Sequence, residues 1–218
     1  MVPESEKLVN LQRLEGISLD GNVPVFLSRG TILDEGFYDR PTPFVAHDLL
    51  GKVMVHYTDN GASAVRIVET EAYLGKRDSA CHAAYGQTPR SKIFYESGPG
   101  TLYVFQCHAY SCLNVLTGGD DPTGCVLIRA GEPVYGLDAM RERRSVCDSR
   151  ELTNGPGKLG LAMGVSRVLN GTRVTDGPIR IIDDGYSDYI AAASPRVGIS
   201  KEVQYLLRYF ITQNPYVS

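Results

Sequence analysis

Two carboxylates close an otherwise apolar, β-prone run, Val65-Arg66-Ile67-Val68-Glu69-Thr70-Glu71-Ala72-Tyr73. A regular strand alternates its faces, so Glu69, Glu71 and Tyr73 are expected on the side of Val65 and Ile67. A carboxylate kept near an apolar face loses solvation and gains proton affinity, which suits a general acid or base. The plainer reading is a strand end reaching solvent, and strand parity does not choose between the two glutamates. Arg129 ends Cys125-Val126-Leu127-Ile128, a run apolar enough for a central strand. Its guanidinium therefore needs a fixed acceptor, and a carboxylate is the natural one, whether for catalysis or for a structural ion pair. Tyr73, His82, Tyr103, Phe105, His108 and Tyr110 put planar side chains near strand ends, where they can stack on a base or fill a core. Gln87-Thr88-Pro89-Arg90 and Ser97-Gly98-Pro99-Gly100-Thr101 can offer backbone N–H groups and an arginine to phosphate, although solvent-facing loops look the same.

Other chemistries lack support. The chain has no Walker loop, no GxGxxG after a strand, no GxSxG and no HExxH. Its five cysteines (Cys81, Cys107, Cys112, Cys125, Cys147) are an odd count without a CxxC pair and read as reduced, buried thiols. A zinc site from Cys81, His82, Cys107 and His108 would have the wrong ligand spacing, so no metal is expected. The formal charge of −3 argues at first against a nucleic-acid partner. The acidity is local, however: residues 1 to 40 and 176 to 188 each carry −3, leaving +3 on the rest.

The elements that must position these residues follow from hydrophobic period and turn chemistry. Residues 1 to 22 are polar and aperiodic and read as a loosely attached tail, with one domain over 23 to 218. Thr42 is expected to cap a helix with Pro43 at its first position, running through Leu50 to a stop at Gly51. Val53 to Tyr57 and Ala64 to Tyr73 read as strands joined by Asp59-Asn60-Gly61. Leu102 to Cys107 and Cys112 to Leu116 suggest a second hairpin around His108 to Ser111, followed by a strand over Gly124 to Ala130. Helices are expected over Tyr135 to Arg144 and from Gly155-Pro156-Gly157 to Ala162, and further strands over Ile179 to Ile182 and Tyr205 to Ile211. Strands outnumber helices and short turns join them. The expected fold is α+β: a single mixed domain around a curved, largely antiparallel sheet with peripheral helices and a protruding hairpin. At 218 residues such a domain buries roughly 70% of its unfolded surface and needs no staples. No apolar run approaches the ~20 residues of a membrane span and no secretory signal is evident, so a cytosolic location is expected, or a nuclear one in a eukaryote.

The segment Arg66 to Gly75, with His82, Gln87-Thr88-Pro89-Arg90, Pro99-Gly100-Thr101-Leu102-Tyr103-Val104, Val126-Leu127-Ile128-Arg129-Ala130 and Arg196-Val197-Gly198, resembles the alkyladenine (3-methylpurine) DNA glycosylase family. The resemblance implies a monofunctional enzyme that flips a damaged purine from double-stranded DNA and hydrolyses its N-glycosidic bond without a cofactor and without strand cleavage. Lesions in its range would be 3-methyladenine, 7-methylguanine, hypoxanthine and ethenoadenine. The family's catalytic glutamate falls on Glu71, with Arg129 and the Val197 carbonyl fixing the reacting water. Tyr73, His82 and Phe105 fall on stacking positions, Asn114 on the residue that limits entry of the guanine 2-amino group, and Leu127 on the base pocket. Thr88, Arg90 and Arg141 would meet the DNA backbone. His108 would be the intercalating tip of a hairpin one residue shorter than usual, and Phe105 stands where many members have tyrosine. Extrusion of paired lesions is then expected to be weaker. The implied enzyme is a monomer away from membranes. A catalytically weak nucleic-acid-binding module on the same scaffold, or a nucleoside hydrolase, are the competing readings, and Glu71 with Arg129 weighs against the first.

Overall fold

In a computed structural model of the chain, residues 30 to 107, 109 to 119 and 123 to 218 are described. The boundary expected at residue 22 and the tip residue His108 lie outside them. Strand β1 (Thr31–Ile32) is followed by helices α1 (Glu35–Tyr38) and α2 (Thr42–Asp48), and by strands β2 (Val53–Thr58) and β3 (Gly61–Tyr73). After two short 3-10 turns and helix α3 (Ile93–Glu96) come strands β4 (Leu102–Cys107), β5 (Tyr110–Thr117) and β6 (Gly124–Tyr135). Helices α4 (Leu137–Arg144), α5 (Arg150–Thr153) and α6 (Pro156–Ala162) lead to β7 (Ile179–Asp183), β8 (Ala191–Ser194) and β9 (Arg208–Ile211).

The strands form one open sheet in the order β1-β7-β2-β3-β6-β5-β4, every described pair antiparallel. This is the α+β fold expected from the sequence. The long β3 is the spine. Its first half pairs β2, its second half pairs β9 on the same edge, and β6 runs along its other edge. Val45, Ala46 and Leu49 around α2, Met140 of α4, Leu152 of α5 and Leu159 of α6 pack with Val65, Ile67, Ala72, Val126 and Ile128 in the main core. Cys81, Ala83, Phe94, Tyr103, Leu116 and Cys125 form a separate cluster at the β4–β5–β6 end of the sheet.

Three local readings need correction. Thr42 does not cap α2: Pro41 takes that position, and the Thr42 hydroxyl turns inward to meet the Thr117 hydroxyl at 2.7 Å. Tyr135 belongs to β6, because Gly136 at φ 73° starts α4 only after the chain has left the sheet. A Cβ at Gly136 would also lie 2.4 Å from the Ala62 carbonyl, so both the turn and the approach require glycine. Only Arg208–Ile211 of the expected Tyr205 to Ile211 strand pairs, and its partner β8 is an addition to the expected set.

The strand parity across the two glutamates also changes. Ile67 pairs Gly131 and Glu69 pairs Ala130, so Val68 is an extra residue in β3; Thr70 then pairs Ile128, so Arg129 is an extra residue in β6. The inserted residue reverses which side chains face the core. Val65 and Ile67 join Ala72 in the main core, and Thr70 bonds the Ala46 carbonyl of α2, whereas Glu69, Glu71 and Tyr73 face the other side.

Candidate active site

The bulged stretch gathers its charges with little access to water. Glu69 and Glu71 have no exposed surface and Arg129 is 7% exposed. Arg129 Nε donates to Glu69 Oε1 at 2.8 Å, its Nη1 lies 3.3 Å from Glu71 Oε1, and its Nη2 donates to the Ser218 hydroxyl. Glu69 also receives Arg208 Nε (2.6 Å), the Ser218 hydroxyl (3.0 Å) and the Ser218 amide (2.7 Å). Burial opposes its charge, yet these donors with Arg129 overcome that cost and hold its carboxyl below the usual range.

A carboxylate offers about four lone-pair positions. Glu69 meets four donors, three of them on Oε1 and one on Oε2. Glu71 meets three: the Val197 amide donates to Oε1 at 2.7 Å, Arg129 stands beside the same oxygen, and the Tyr73 hydroxyl donates to Oε2 at 2.8 Å. One acceptor position of Glu71 remains. Burial, and then the charge of Glu71, push the Tyr73 phenol far up, so it stays protonated and can donate.

Beside this carboxylate opens a cavity of about 310 Å³ whose walls include Tyr73, His82, Phe105, Asn114, Leu127 and Gly198. That volume lies at the small end of ligand sites and fits one planar heterocycle. His82 packs edge-on to Phe105 with ring centres 4.6 Å apart, and its Nδ1 meets the Tyr103 hydroxyl at 2.8 Å. Burial, assisted by Arg90, lowers its pKa, which favours the neutral imidazole. The Asn114 side chain is tied down from both ends, its Nδ2 donating to the Tyr103 carbonyl at 3.0 Å while its Oδ1 faces the Cys125 thiol at 3.9 Å.

Glu71, Arg129, Val197, Tyr73, His82, Phe105, Asn114 and Leu127 are thus brought to one place. Val197 contributes its N–H to the carboxylate, a contact absent from the sequence reading. Arg90 stands at the rim, 5.2 Å from the Phe105 ring centre. Thr88 is engaged with Ser91 in the same exposed loop. Arg141 is distant: α4 is tied through Arg143 to Ser63, near the start of β3, about eight residues and ~25 Å along the strand from Glu71. The sequence reading did not place Asp78 and Arg196 against Tyr73, nor Cys81, Cys107, Cys112 and Cys125 in the cavity wall. Arg196 was visible as the neighbour of Val197, but no spacing connects Asp78 to it. Among the described residues no group of His, Cys, Asp and Glu has metal-site geometry.

The arrangement is a buried carboxylate beside an aromatic-lined cavity, and sequence comparison says in whose company it occurs. The family model described as methylpurine-DNA glycosylase matches residues 36 to 215. The chain belongs to that family. It is 44% identical over 170 residues to a protein of Methanocella arvoryzae, covering 77% of this chain and 84% of the relative. It is 42% identical over 186 residues to one of Prosthecochloris aestuarii (84% and 88%) and 40% identical over 192 residues to one of Methanoculleus marisnigri (85% and 98%). All three bear the name "Putative 3-methyladenine DNA glycosylase". The family's members are hydrolases of N-glycosyl bonds in DNA.

Proposed function

We propose that this methylpurine-DNA glycosylase removes alkylated purines, 3-methyladenine and 7-methylguanine first among them, by flipping them into the cavity between Tyr73 and the His82–Phe105 pair. The observation that carries the reading is the buried Glu71 carboxylate beside the cavity, with one donor on Oε2 and with Tyr73 and its strand partner Leu127 both in the cavity wall. A water placed there gives its proton to Glu71 as its oxygen forms a bond to the sugar C1′, while the C1′–N bond breaks and its electron pair leaves with the purine. An N-alkylated purine is cationic and departs as a neutral base, so one general base is enough. The Val197 amide, Tyr73 and Arg129 fix the carboxylate's orientation before reaction, and burial keeps bulk water from competing.

Selectivity has a physical source in the same walls. Cationic rings gain on the order of 0.5 to 2 kcal/mol from each aromatic face, and a neutral His82 does not repel them. Neutral lesions such as hypoxanthine and ethenoadenine lack that attraction and lean on pocket fit. No lysine nucleophile is needed, so the product is an abasic site and an intact strand. A monomer acting on double-stranded DNA in the cytosol or nucleoid is the working form we assign.

Duplex DNA treated with a methylating agent tests this directly. The parent enzyme releases 3-methyladenine and 7-methylguanine, and alkali then reveals abasic sites. Glu71→Gln lowers the single-turnover rate by about 10² to 10⁴-fold while retaining affinity for a duplex with an uncleavable abasic analogue. Release from free nucleosides but not from duplex would assign a nucleoside hydrolase instead. Binding without release would leave a nucleic-acid-binding module.

A further inference from the structure

One buried ion pair beside the cavity is used by none of the chemistry above. Arg196 and Asp78 lie together with side chains 0% and 2% exposed. Arg196 Nη1 donates to Asp78 Oδ2 and to the Ala72 carbonyl (2.9 Å), and Nη2 donates to Asp78 Oδ1 (2.9 Å). The guanidinium centre lies 4.6 Å from the Tyr73 ring centre. Asp78 in turn accepts the amides of Leu74 and Ala80, both at 3.0 Å.

These contacts join three separate stretches of chain. The Ala72 carbonyl and Tyr73 ring belong to the end of β3, which carries Glu71. The Leu74 and Ala80 amides set the turn that delivers Cys81 and His82 to the cavity. Arg196 immediately precedes Val197, whose amide holds Glu71 Oε1. Buried ion pairs are poor stabilisers, because the cost of desolvation rivals the attraction, so stability alone is a weak reason to place one here. The guanidinium does what a hydrophobic pair of equal volume could not: it grips a carboxylate by two bonds, a carbonyl by a third and an aromatic face at once.

We infer that the Asp78–Arg196 pair is a positioning device for the excision reaction, setting the Val197 amide and the Tyr73 ring so that Glu71 is aimed at the reacting water. The inference rests on the reading of Glu71 as general base. Arg196 touches neither base nor sugar; it acts through Tyr73 and Val197, and a displacement near 1 Å of such a group is enough to cost about 10²-fold in rate.

The test is a double-mutant cycle on methylated duplex DNA under single-turnover conditions, with affinity for the abasic-analogue duplex and thermal unfolding measured in parallel. Arg196→Lys retains the charge but loses the fork and the planar stacking. Asp78→Asn with Arg196→Met removes both charges and leaves none unpaired, giving a second route to a folded protein. Both are expected to lower the rate about 30 to 100-fold with affinity changed less than threefold. In a Glu71→Gln background the same changes are expected to cost less than threefold more, since a residue acting through Glu71 has nothing left to position. Full-rate excision by either variant overturns the inference, as does a loss that multiplies undiminished onto Glu71→Gln, or a loss carried by affinity alone. Parental activity in Glu71→Gln itself would sink the general-base reading, and this is distinct because it appears without any change at Arg196.

Discussion

The two glutamates of the Glu-Thr-Glu run differ through their donors rather than their burial. Glu69 takes donors from Arg129, Arg208 and two groups of Ser218, which makes it an anchor for strand β9 and for Ser218. Glu71 is held by Val197, Arg129 and Tyr73, and it lies behind Tyr73 and its strand partner Leu127, both of which line the cavity. Replacing Glu69 by Gln leaves the half-buried Arg208 without its countercharge and Arg129 with Glu71 alone, and is expected to cost about 3 kcal/mol at neutral pH. The pH dependence has a definite sign. The folded-state pKa of Glu69 lies below the unfolded value of about 4.3, so its contribution is present above that pH and fades as pH falls through the folded value. Thermal unfolding between pH 7 and 3 should therefore show Glu69→Gln with a lower Tm than the parent at pH 7 and a gap that narrows toward pH 3. A constant gap would show that the charge of Glu69 is not what the fold uses.

At the scale of elements, the hairpin β4–β5 is aimed by helix α6. The Pro-Gly-Lys-Leu-Gly-Leu sequence of that helix leaves no side chain at two of its contact points. A Cβ on Gly160 would stand 1.9 Å from the Ser111 carbonyl, and one on Gly157 would stand 3.0 Å from the Tyr110 side chain. The helix therefore rests on the backbone of β5, three residues from Asn114 and beside the partner strand that carries Phe105. Gly160→Ala forces the two elements apart and is expected to cost about 1 to 3 kcal/mol, a Tm lower by roughly 2 to 10 °C. Because the hairpin moves with it, affinity for the abasic-analogue duplex should fall as well. A Tm unchanged within 1 °C would mean that the approach is looser than the glycines imply.

Over the whole molecule, charge is laid out by the order of the strands. The acidic 176 to 188 segment includes β7, near the sheet edge opposite β4 and β5, where Asp183 pairs Lys52 and Asp184 pairs Arg66. The cavity opens at the other end, with Arg90 at its rim. The acidity of 176 to 188 and an anionic ligand are thus compatible because they occupy different edges of the sheet. Attraction to undamaged DNA then rests on few cations, so it is expected to be weak. Even two phosphate contacts would give about a tenfold loss of affinity between 50 and 200 mM salt. A titration of undamaged duplex by fluorescence anisotropy at both concentrations checks this, and salt-insensitive binding would contradict it.

The sequence by itself determined the fold class, most element positions and five residues that line the cavity, Tyr73, His82, Phe105, Asn114 and Leu127. Those depend on local period, turn chemistry and motif blocks, which are written in neighbouring residues. The α6 helix over Pro156–Ala162 and the β2–β3 turn were legible in that way. Only the tertiary structure decided which face Glu69 and Glu71 occupy, because the extra residues Val68 and Arg129 are defined by pairing between strands roughly 60 residues apart. It alone shows what holds each of them, since donors to the two carboxylates come from Val197, Arg208 and Ser218, more than 120 residues away. The grip of Asp78 on Arg196 is of the same kind. A hydrogen bond between distant segments leaves no period and no spacing in the chain, and becomes visible only when folding has brought its two ends together.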